Sequence, residues 1–513
     1  MKKDALKALT FCIVFSIFLV AGATLFKIER YLTVESIQFK SEIAPLFNPK
    51  VKNYYTKNCE IKNLIEKINP KIEKTEIQNS PVTKITLTYL KIIRKEYFVT
   101  CVDPRVAPMN VSNPTGKRKE FNLMDTIVLA GNTNEEYSGT IVLYDDLGTP
   151  IWWMATNSKP IANEGYFDLR DPKLIDGGTK VLFAANRTLN ANFLNDAEYL
   201  IYDLVSHKVI KRYTGAKFAN ARGTLDFHDL QILPNLGAVG IRYPKRNDLD
   251  LTKIGIPIGT TVLDSEIVIM NPDGTEKNTF SLLDRISVDE IAKNQPLYYQ
   301  PNINPVLDVV HVNSLDTVGD SVIVSARHLD AIYKIRLMDG EIIWKLGGHG
   351  KTKNDILVSN EYGVIHEPKG TIATNQLLSG QHDARIISTG ELSVLDNGST
   401  ANRNPRVLTL LINEKKKIAK ITNVITGSSQ SISTCCGSAR KLRDGSWTVN
   451  WGGKADSARK KIMNSVSSTI LENGIETRIL IRPENVFAYK VIPYELNDNI
   501  IELFRLDLMG RNG

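Results

Sequence analysis

Apolar and polar positions alternate along residues 305–348, and the same alternation returns through most of the chain. Here β-branched runs (SVIVSA, AIYKI, GEIIW) are cut by polar turns at Gly319-Asp320 and Asp339-Gly340, which predicts antiparallel strands and hairpins. A histidine, His311, heads the first strand, and Arg327 ends the second. The outer hairpin, IYKIRLMDGEIIW, has further copies: TIVLYDDLGTPIWW at 140–153, YLIYDLVSHKVIKRY at 199–213, EIVIMNPDGTEKNTF at 266–280, RVLTLLINEKKKIAKI at 406–421 and SSTILENGIETRILI at 467–481. The strand-turn-strand ahead of it recurs as KLIDGGTKVLFAAN, HDLQILPNLGAVGIRY, QHDARIISTGELSVLDN and GSARKLRDGSWTVNWGG. Four strands per unit, at intervals of roughly 50–80 residues, predict an all-β six-bladed propeller, or seven blades if an N-terminal domain contributes one. A helical solenoid is set aside because no stretch after residue 120 sustains a 3.6-residue period.

The N-terminus breaks this pattern. Residues 8–26, ALTFCIVFSIFLVAGATLF, carry no charge, follow Lys2, Lys3 and Lys7, and stop at Lys27. An apolar helix of that length just spans a bilayer, and Ala21-Gly22-Ala23 resembles a signal-peptidase site. The reading is a signal peptide or membrane anchor over 1–30, with the remainder exported to a periplasmic or other extracytoplasmic space. Residues 28–75 are polar with helical character in places (EIKNLIEKINPKIEK), whereas KITLTYL and EYFVTCV predict strands. Turn formers and charge over 106–120 place a boundary, giving a small β-rich domain at 31–120 and the propeller at 121–513. Two inserts, 244–262 and 349–377, exceed hairpin loops; such loops on a rigid scaffold are where lids and specificity elements sit.

With 513 residues the chain can hold two or three domains. Its net charge of +8 is spread among nearly as many acids, with no basic helix or Arg-rich arm, so nucleic acid is not an expected partner. Of five cysteines, Cys12 lies in the apolar run, and an exported chain permits a disulfide between Cys59 and Cys101. The adjacent Cys435-Cys436 reads as two packed thiols in preference to a vicinal disulfide. No Cys/His set has zinc spacing, so no structural metal is expected. The Asn-x-Ser/Thr triplets at Asn110, Asn186 and Asn397 are expected by chance at this length. Association as a homodimer is left open.

Three of seven histidines hold nearly the same phase in successive units. His228 precedes Gly237 by nine residues, while His311 precedes Gly319 and His382 precedes Gly390 by eight. Equivalent positions of different blades ring the central axis, so these imidazoles should converge there. Arg327 ends the strand whose partner begins at His311, which puts it close across one hairpin. A guanidinium fork with imidazole donors suits a tetrahedral oxyanion. Taken singly, each histidine also reads as a hydrogen-bonded barrel-end residue. A His₃ metal site is disfavoured because Arg327 would place a permanent cation beside it and no carboxylate shares the phase.

The strings HDLQILPN (228–235), DVVHVNSLD (308–316), SVIVSARH (321–328), GEIIWKLGG (340–348) and QHDAR (381–385) resemble the arylsulfate sulfotransferases, over about residues 140–455. The resemblance implies a six-bladed propeller, export, and ping-pong transfer of a sulfuryl group from an aryl sulfate to a phenol through a sulfated histidine. It implies no nucleotide sulfate and no cofactor. By motif, the nucleophile falls on His382 and the sulfate-holding groups on His228, His311 and Arg327. Sulfuryl transfer, like phosphoryl transfer, calls for positioning and charge neutralisation, and a neutral imidazole nitrogen is a competent nucleophile. The acid/base role goes to His311 before His228. Asn313, two residues along the same strand, faces the side of His311 and is placed to orient it or bind sulfate. Trp152, Trp153, Tyr243 and Trp451 are candidates for an aryl platform, although core or blade-edge packing is the plainer reading of each. His328 should point away from Arg327, and His349 and His366 are expected in solvent. Two other readings are a non-catalytic propeller that binds anions, glycans or a protein, and a quinone-dependent dehydrogenase. The latter needs a calcium site and a tryptophan motif in every blade, and only Trp153, Trp344 and Trp447 fit.

Overall fold

The structure is a computed structural model. It describes most of residues 106–511, apart from 113–119, 129–138, 188–195, 292–305, 367–376, 428–432 and shorter gaps, together with seven strands before residue 102. The apolar run 8–26 lies outside the described residues. Among the described residues no helix is long and apolar enough to cross a membrane.

The chain divides into two compact units, Met1–Asp103 and Pro104–Gly513. In the first, a five-stranded sheet runs in the order Ala44–Leu46, Lys52–Thr56, Ile93–Cys101, Val82–Tyr89, Lys74–Gln78. Alternation along Val82–Tyr89 and Ile93–Cys101 sends Ile85, Leu87, Tyr97 and Val99 inward, where all are fully buried. Cys101 is disulfide-bonded. The stretch read as partly helical holds the strand Ile65–Ile68 and the start of Lys74–Gln78 instead. Pro70 stops a helix there, and pairing of Ile65–Ile68 with Ile37–Phe39 outweighs so short a helical propensity.

The larger unit is all-β apart from 3-10 turns and one C-terminal helix among the described residues. Among its described residues six antiparallel four-stranded arrays follow one another, with Val486–Phe487 added to the first and Asn110–Ser112 to the last. The fourth is Val312–Val318, Ser321–Ala326, Ala331–Arg336 and Ile342–Gly347; the fifth is His382–Ile386, Leu392–Asp396, Arg406–Asn413 and Ile418–Ile425. The first joins strands from the start and the end of this unit. Val491–Glu495 pairs with Glu120–Val128, which continues into Gly139–Tyr144 and Pro150–Ala155. No local repeat could reveal that strand exchange.

Every residue of Ser321–Ala326 is buried. Val322 and Val324 face a cluster with Val239, Ile241, Ile267 and Ile269 of the third array, whereas Ile323 joins Ala384, Leu392 and Val394 of the fifth. A sheet sandwiched on both faces needs an unbroken apolar run, and SVIVSA supplies one. Such packing presents the head of each innermost strand on a rigid base.

The inserts make contacts of their own. Val262–Leu263 pairs in parallel with Leu307–Asp308, and Asp355–Asn360 bridges the fourth and fifth arrays by parallel pairing to both. Contrary to the sequence expectation, a helical period exists late in the chain. Helix α1, Asp498–Gly510, starts at an Asn497 cap and buries Phe504 and Leu508. Its Asp507 accepts from Trp152 Nε1 (2.7 Å) and His207 Nδ1 (2.8 Å) and forms an ion pair with Arg511 (2.8 Å), which accounts for Trp152 and His207 structurally.

Candidate active site

The three phase-matched histidines stand at the heads of the innermost strands of the third, fourth and fifth arrays, and all are buried. His228 and His311 meet edge to face, with ring centroids 4.9 Å apart. The ring of Tyr489 lies 5.3 Å from His228 and 6.1 Å from His382. Arg327 N–H donates to the His311 carbonyl at 2.9 Å, so the guanidinium arises beside His311 across the hairpin as the pairing predicts.

Partners fix the tautomers. His311 Nδ1 donates to Asp308 Oδ2 at 2.5 Å, and His228 Nδ1 donates to Asp226 Oδ1. His382 Nδ1 faces two acceptors, Gly380 O (3.0 Å) and Asn397 Oδ1 (2.9 Å), so it carries the proton. Its Nε2 accepts the backbone N–H of Cys436 at 3.0 Å and holds the lone pair. Carboxylates therefore do accompany the histidines, against the sequence expectation. Asp226 and Asp308 precede His228 and His311 by two and three residues and turn back onto them.

His328 belongs to the cluster and does not point away. Residues Arg327–Leu329 form a 3-10 turn, so strand alternation does not apply. His328 stacks on His311 at 4.7 Å, donates from Nδ1 to the Asp308 carbonyl (2.6 Å), and accepts at Nε2 from Arg327 Nη1 (2.7 Å). His349 is likewise buried, not solvated, with Nε2 3.4 Å from Asp330. It follows Gly347 and Gly348, both at positive φ, which tuck the chain inward. The side chain of His366 lies outside the described residues. Cys435 and Cys436 are joined as a vicinal disulfide and are not two thiols.

Asn313 is fully buried and donates from Nδ2 to the Gln381 carbonyl (2.8 Å), tying the fourth innermost strand to the residue before His382. Of the aromatic candidates, Tyr243 is the one seen beside the histidines, 5.9 Å from His311 with its hydroxyl on the Val312 carbonyl. Trp451 donates to Ser468, and the Trp153 carbonyl accepts from Arg511. Sequence reasoning passes over Tyr489, Asn397, Asp226 and Asp308. Only the two aspartates carry a local signal, their place two or three residues ahead of a phase-matched histidine.

Electrostatics favour neutral rings. Burial, then His228 and Arg327, hold His311 well below the ordinary imidazole range; burial, then Arg327, do the same for His382. His328 is depressed by burial too, and burial raises the Asp308 carboxyl. Asp308, His311 and His328 are close enough to offer three donors to one cation. Both His328 nitrogens are engaged, however, one by a permanently charged guanidinium, so the group fits anion handling better than metal.

An ion-pair network lies next to the histidines. Asp229, fully buried, meets Arg385, Lys173 and Lys490. Lys490 also donates to the His228 carbonyl at 2.6 Å and pairs with Asp171 at 2.9 Å. Burial raises the Asp229 carboxyl, but Arg385, Lys173 and Lys490 outweigh it and hold it well below the usual range. A separate cavity of about 660 Å³ lies elsewhere, lined by Arg285, Tyr333, Lys345 and Lys353 among others, and contains none of these histidines.

A family model described as Arylsulfotransferase (ASST) matches residues 112–490. No curated protein matches the chain. Among solved structures, the β-propeller domain of Myceliophteria thermophila Swd1 aligns at 12% identity over 74% of this chain and 90% of its own, with a TM-score of 0.34. The dihydro-heme d1 dehydrogenase NirN aligns at 12% identity over 81% of this chain and 62% of its own, with a TM-score of 0.30.

Proposed function

The chain belongs to the arylsulfotransferase family, and from that premise we propose that it transfers a sulfuryl group from an aryl sulfate to a phenol by a ping-pong route through His382. The observation that carries the reading is the convergence of three buried imidazoles and one guanidinium from separate strands, with His382 Nε2 as a lone-pair nitrogen. We read the six arrays as blades of one propeller, closed by the strand exchange at the chain ends, and the apolar N-terminus as an export signal or anchor.

In the first half-reaction the Cys436 N–H gives up His382 Nε2, whose lone pair then attacks sulfur; the S–N bond forms as the S–O(aryl) bond breaks, and the electron pair leaves with the phenolate. Arg327 and His228 neutralise charge on the non-bridging oxygens. In the second, the acceptor phenol attacks the same sulfur, gives its proton to His311, and His382 is regenerated. A neutral His311 suits that base role. The anionic donor supplies the counter-charge that lets the same ring take up a proton and pass it to a departing phenolate.

The test is incubation with 4-nitrophenyl sulfate and phenol without nucleotide. Nitrophenolate should appear, and mass spectrometry should find a sulfuryl group on the His382 peptide when the acceptor is omitted. Full turnover by His382→Ala would remove that histidine from the mechanism.

A further inference from the structure

The segment 433–436 holds the proposed nucleophile on both sides. Cys436 places its N–H on His382 Nε2 at 3.0 Å, and its carbonyl accepts from Asn397 Nδ2 at 2.8 Å. Ser433 Oγ accepts from the same amide group at 2.7 Å, while Asn397 Oδ1 accepts from His382 Nδ1. Upstream, the Thr434 carbonyl accepts from Arg327 Nη2 at 2.6 Å. Ser433, Thr434 and Cys436, with Asn397 as intermediary at Nδ1, thus fix the imidazole at both nitrogens and the guanidinium at one.

Cys436 has a φ of 70°, a region that non-glycine residues rarely hold without outside constraint. Part of the constraint comes from pairing with Gly453, to which Thr434 donates (2.8 Å) and from which the Cys435 carbonyl accepts (3.1 Å). The rest comes from the bond between Cys435 and Cys436, which lies next to the amide that touches His382.

We infer that the Cys435–Cys436 disulfide is a positioning device for His382, and that opening it disarms the enzyme reversibly. The inference rests on His382 being the nucleophile. Opening takes a reductant such as a trialkylphosphine: the S–S bond breaks, one water supplies two thiol protons, and its oxygen leaves on phosphorus as the phosphine oxide. Cys435 is half-buried, so a small reductant reaches it. Released from the bond, the Cys436 peptide leaves its left-handed conformation. Its N–H then departs from His382, and the Thr434 carbonyl loosens its hold on Arg327.

The experiment treats the full-length protein with tris(2-carboxyethyl)phosphine and follows two readouts. Turnover of 4-nitrophenyl sulfate should fall about tenfold in kcat with KM little changed, as expected for lost orientation, and return on reoxidation with oxidised glutathione. Independently of turnover, carbethoxylation of the His382 peptide by diethyl pyrocarbonate should speed up severalfold: a freely diffusing reagent needs only the uncovered Nε2, whereas sulfuryl transfer also needs the ring and Arg327 held in register. The acid limb of kcat/KM should also move to higher pH, since a hydrogen bond that favours the neutral ring is gone. The phosphine also opens the disulfide at Cys101, so the Cys435→Ser/Cys436→Ser double variant is the control. It should start with the low kcat and not respond further. Unchanged kcat and labelling with thiols verified at both positions would overturn the inference, as would a reductant effect that persists in the double variant. If no aryl sulfate turns over but His382 labelling still responds, the functional reading fails and the positioning stands. Should the double variant not fold, labelling of the natural chain decides.

Discussion

His311 and His328 stack at 4.7 Å over one carboxylate, Asp308, which accepts from His311 at its side chain and from His328 at its backbone. Two imidazoles this close, beside Arg327, cannot both be charged without large repulsion, and burial removes the water that would screen it. The cluster is therefore built around neutral rings.

Acid should weaken the fold from just below neutrality. His311, His328 and His382 are all depressed in the native state, foremost by burial, while in the unfolded chain they titrate near about 6.5. Between the two values the unfolded chain binds more protons, so stability is complete above the unfolded value and falls as pH drops below it. Each such histidine adds a slope of about 1.4 kcal/mol per pH unit at most. Thermal melts at pH 7.5 and 5.5 should show a marked drop, smaller in His328→Gln. Melting points independent of pH across that range would contradict buried neutral rings.

Asp308→Asn keeps the shape of the cluster and removes the charge that favours protonated His311. An acid step should then suffer in proportion to how badly the leaving group needs a proton. For phenyl sulfate kcat/KM should fall by about two orders of magnitude, within the usual worth of general acid catalysis, but much less for 4-nitrophenyl sulfate. Equal losses on both donors would take the acid role from His311.

Repeat periodicity and Asp-Gly turns were enough to find the innermost strands of the second to sixth arrays, because a sheet buried on both faces writes its own apolar run into the sequence. The convergence of His228, His311 and His382 was legible for the same reason, being a phase within the repeat. What stayed hidden depends on contacts far apart in the chain. Val491–Glu495 completes the first array, Tyr489 reaches the histidines from it, and Asn397 is an ordinary Asn-Gly turn until the fold sets it on His382. Strand alternation does not predict the placement of His328, which lies two residues past Ala326, where the backbone has entered a 3-10 turn.

Asp229 should be a stability residue before it is a functional one. It is fully buried and meets Arg385, Lys173 and Lys490, which come from distant parts of the chain. Removing one partner of a buried ionic group leaves the others uncompensated, at a cost of about 3–5 kcal/mol. Asp229→Ala is expected to lower the urea midpoint accordingly, with an unchanged m-value if unfolding stays two-state. A midpoint within error of the natural chain would show that water replaces the carboxylate freely.

Arg327→Lys tests geometry separately from charge. The guanidinium sends Nη1 to His328 Nε2 (2.7 Å) and Nη2 to the Thr434 carbonyl (2.6 Å), a planar fork that an ammonium cannot reproduce. The lysine variant keeps a positive charge near His382 but cannot hold both partners and a sulfuryl oxygen together. Its kcat/KM should fall by about two to three orders of magnitude, the usual loss for a misplaced oxyanion donor. Its acid limb should barely move. In Arg327→Met the charge is gone as well; burial still depresses His382, but the guanidinium's share of the depression is lost, so the limb should shift to higher pH. If the two variants share one pH profile and one rate, Arg327 acts by filling space, and the anion must be held by other donors.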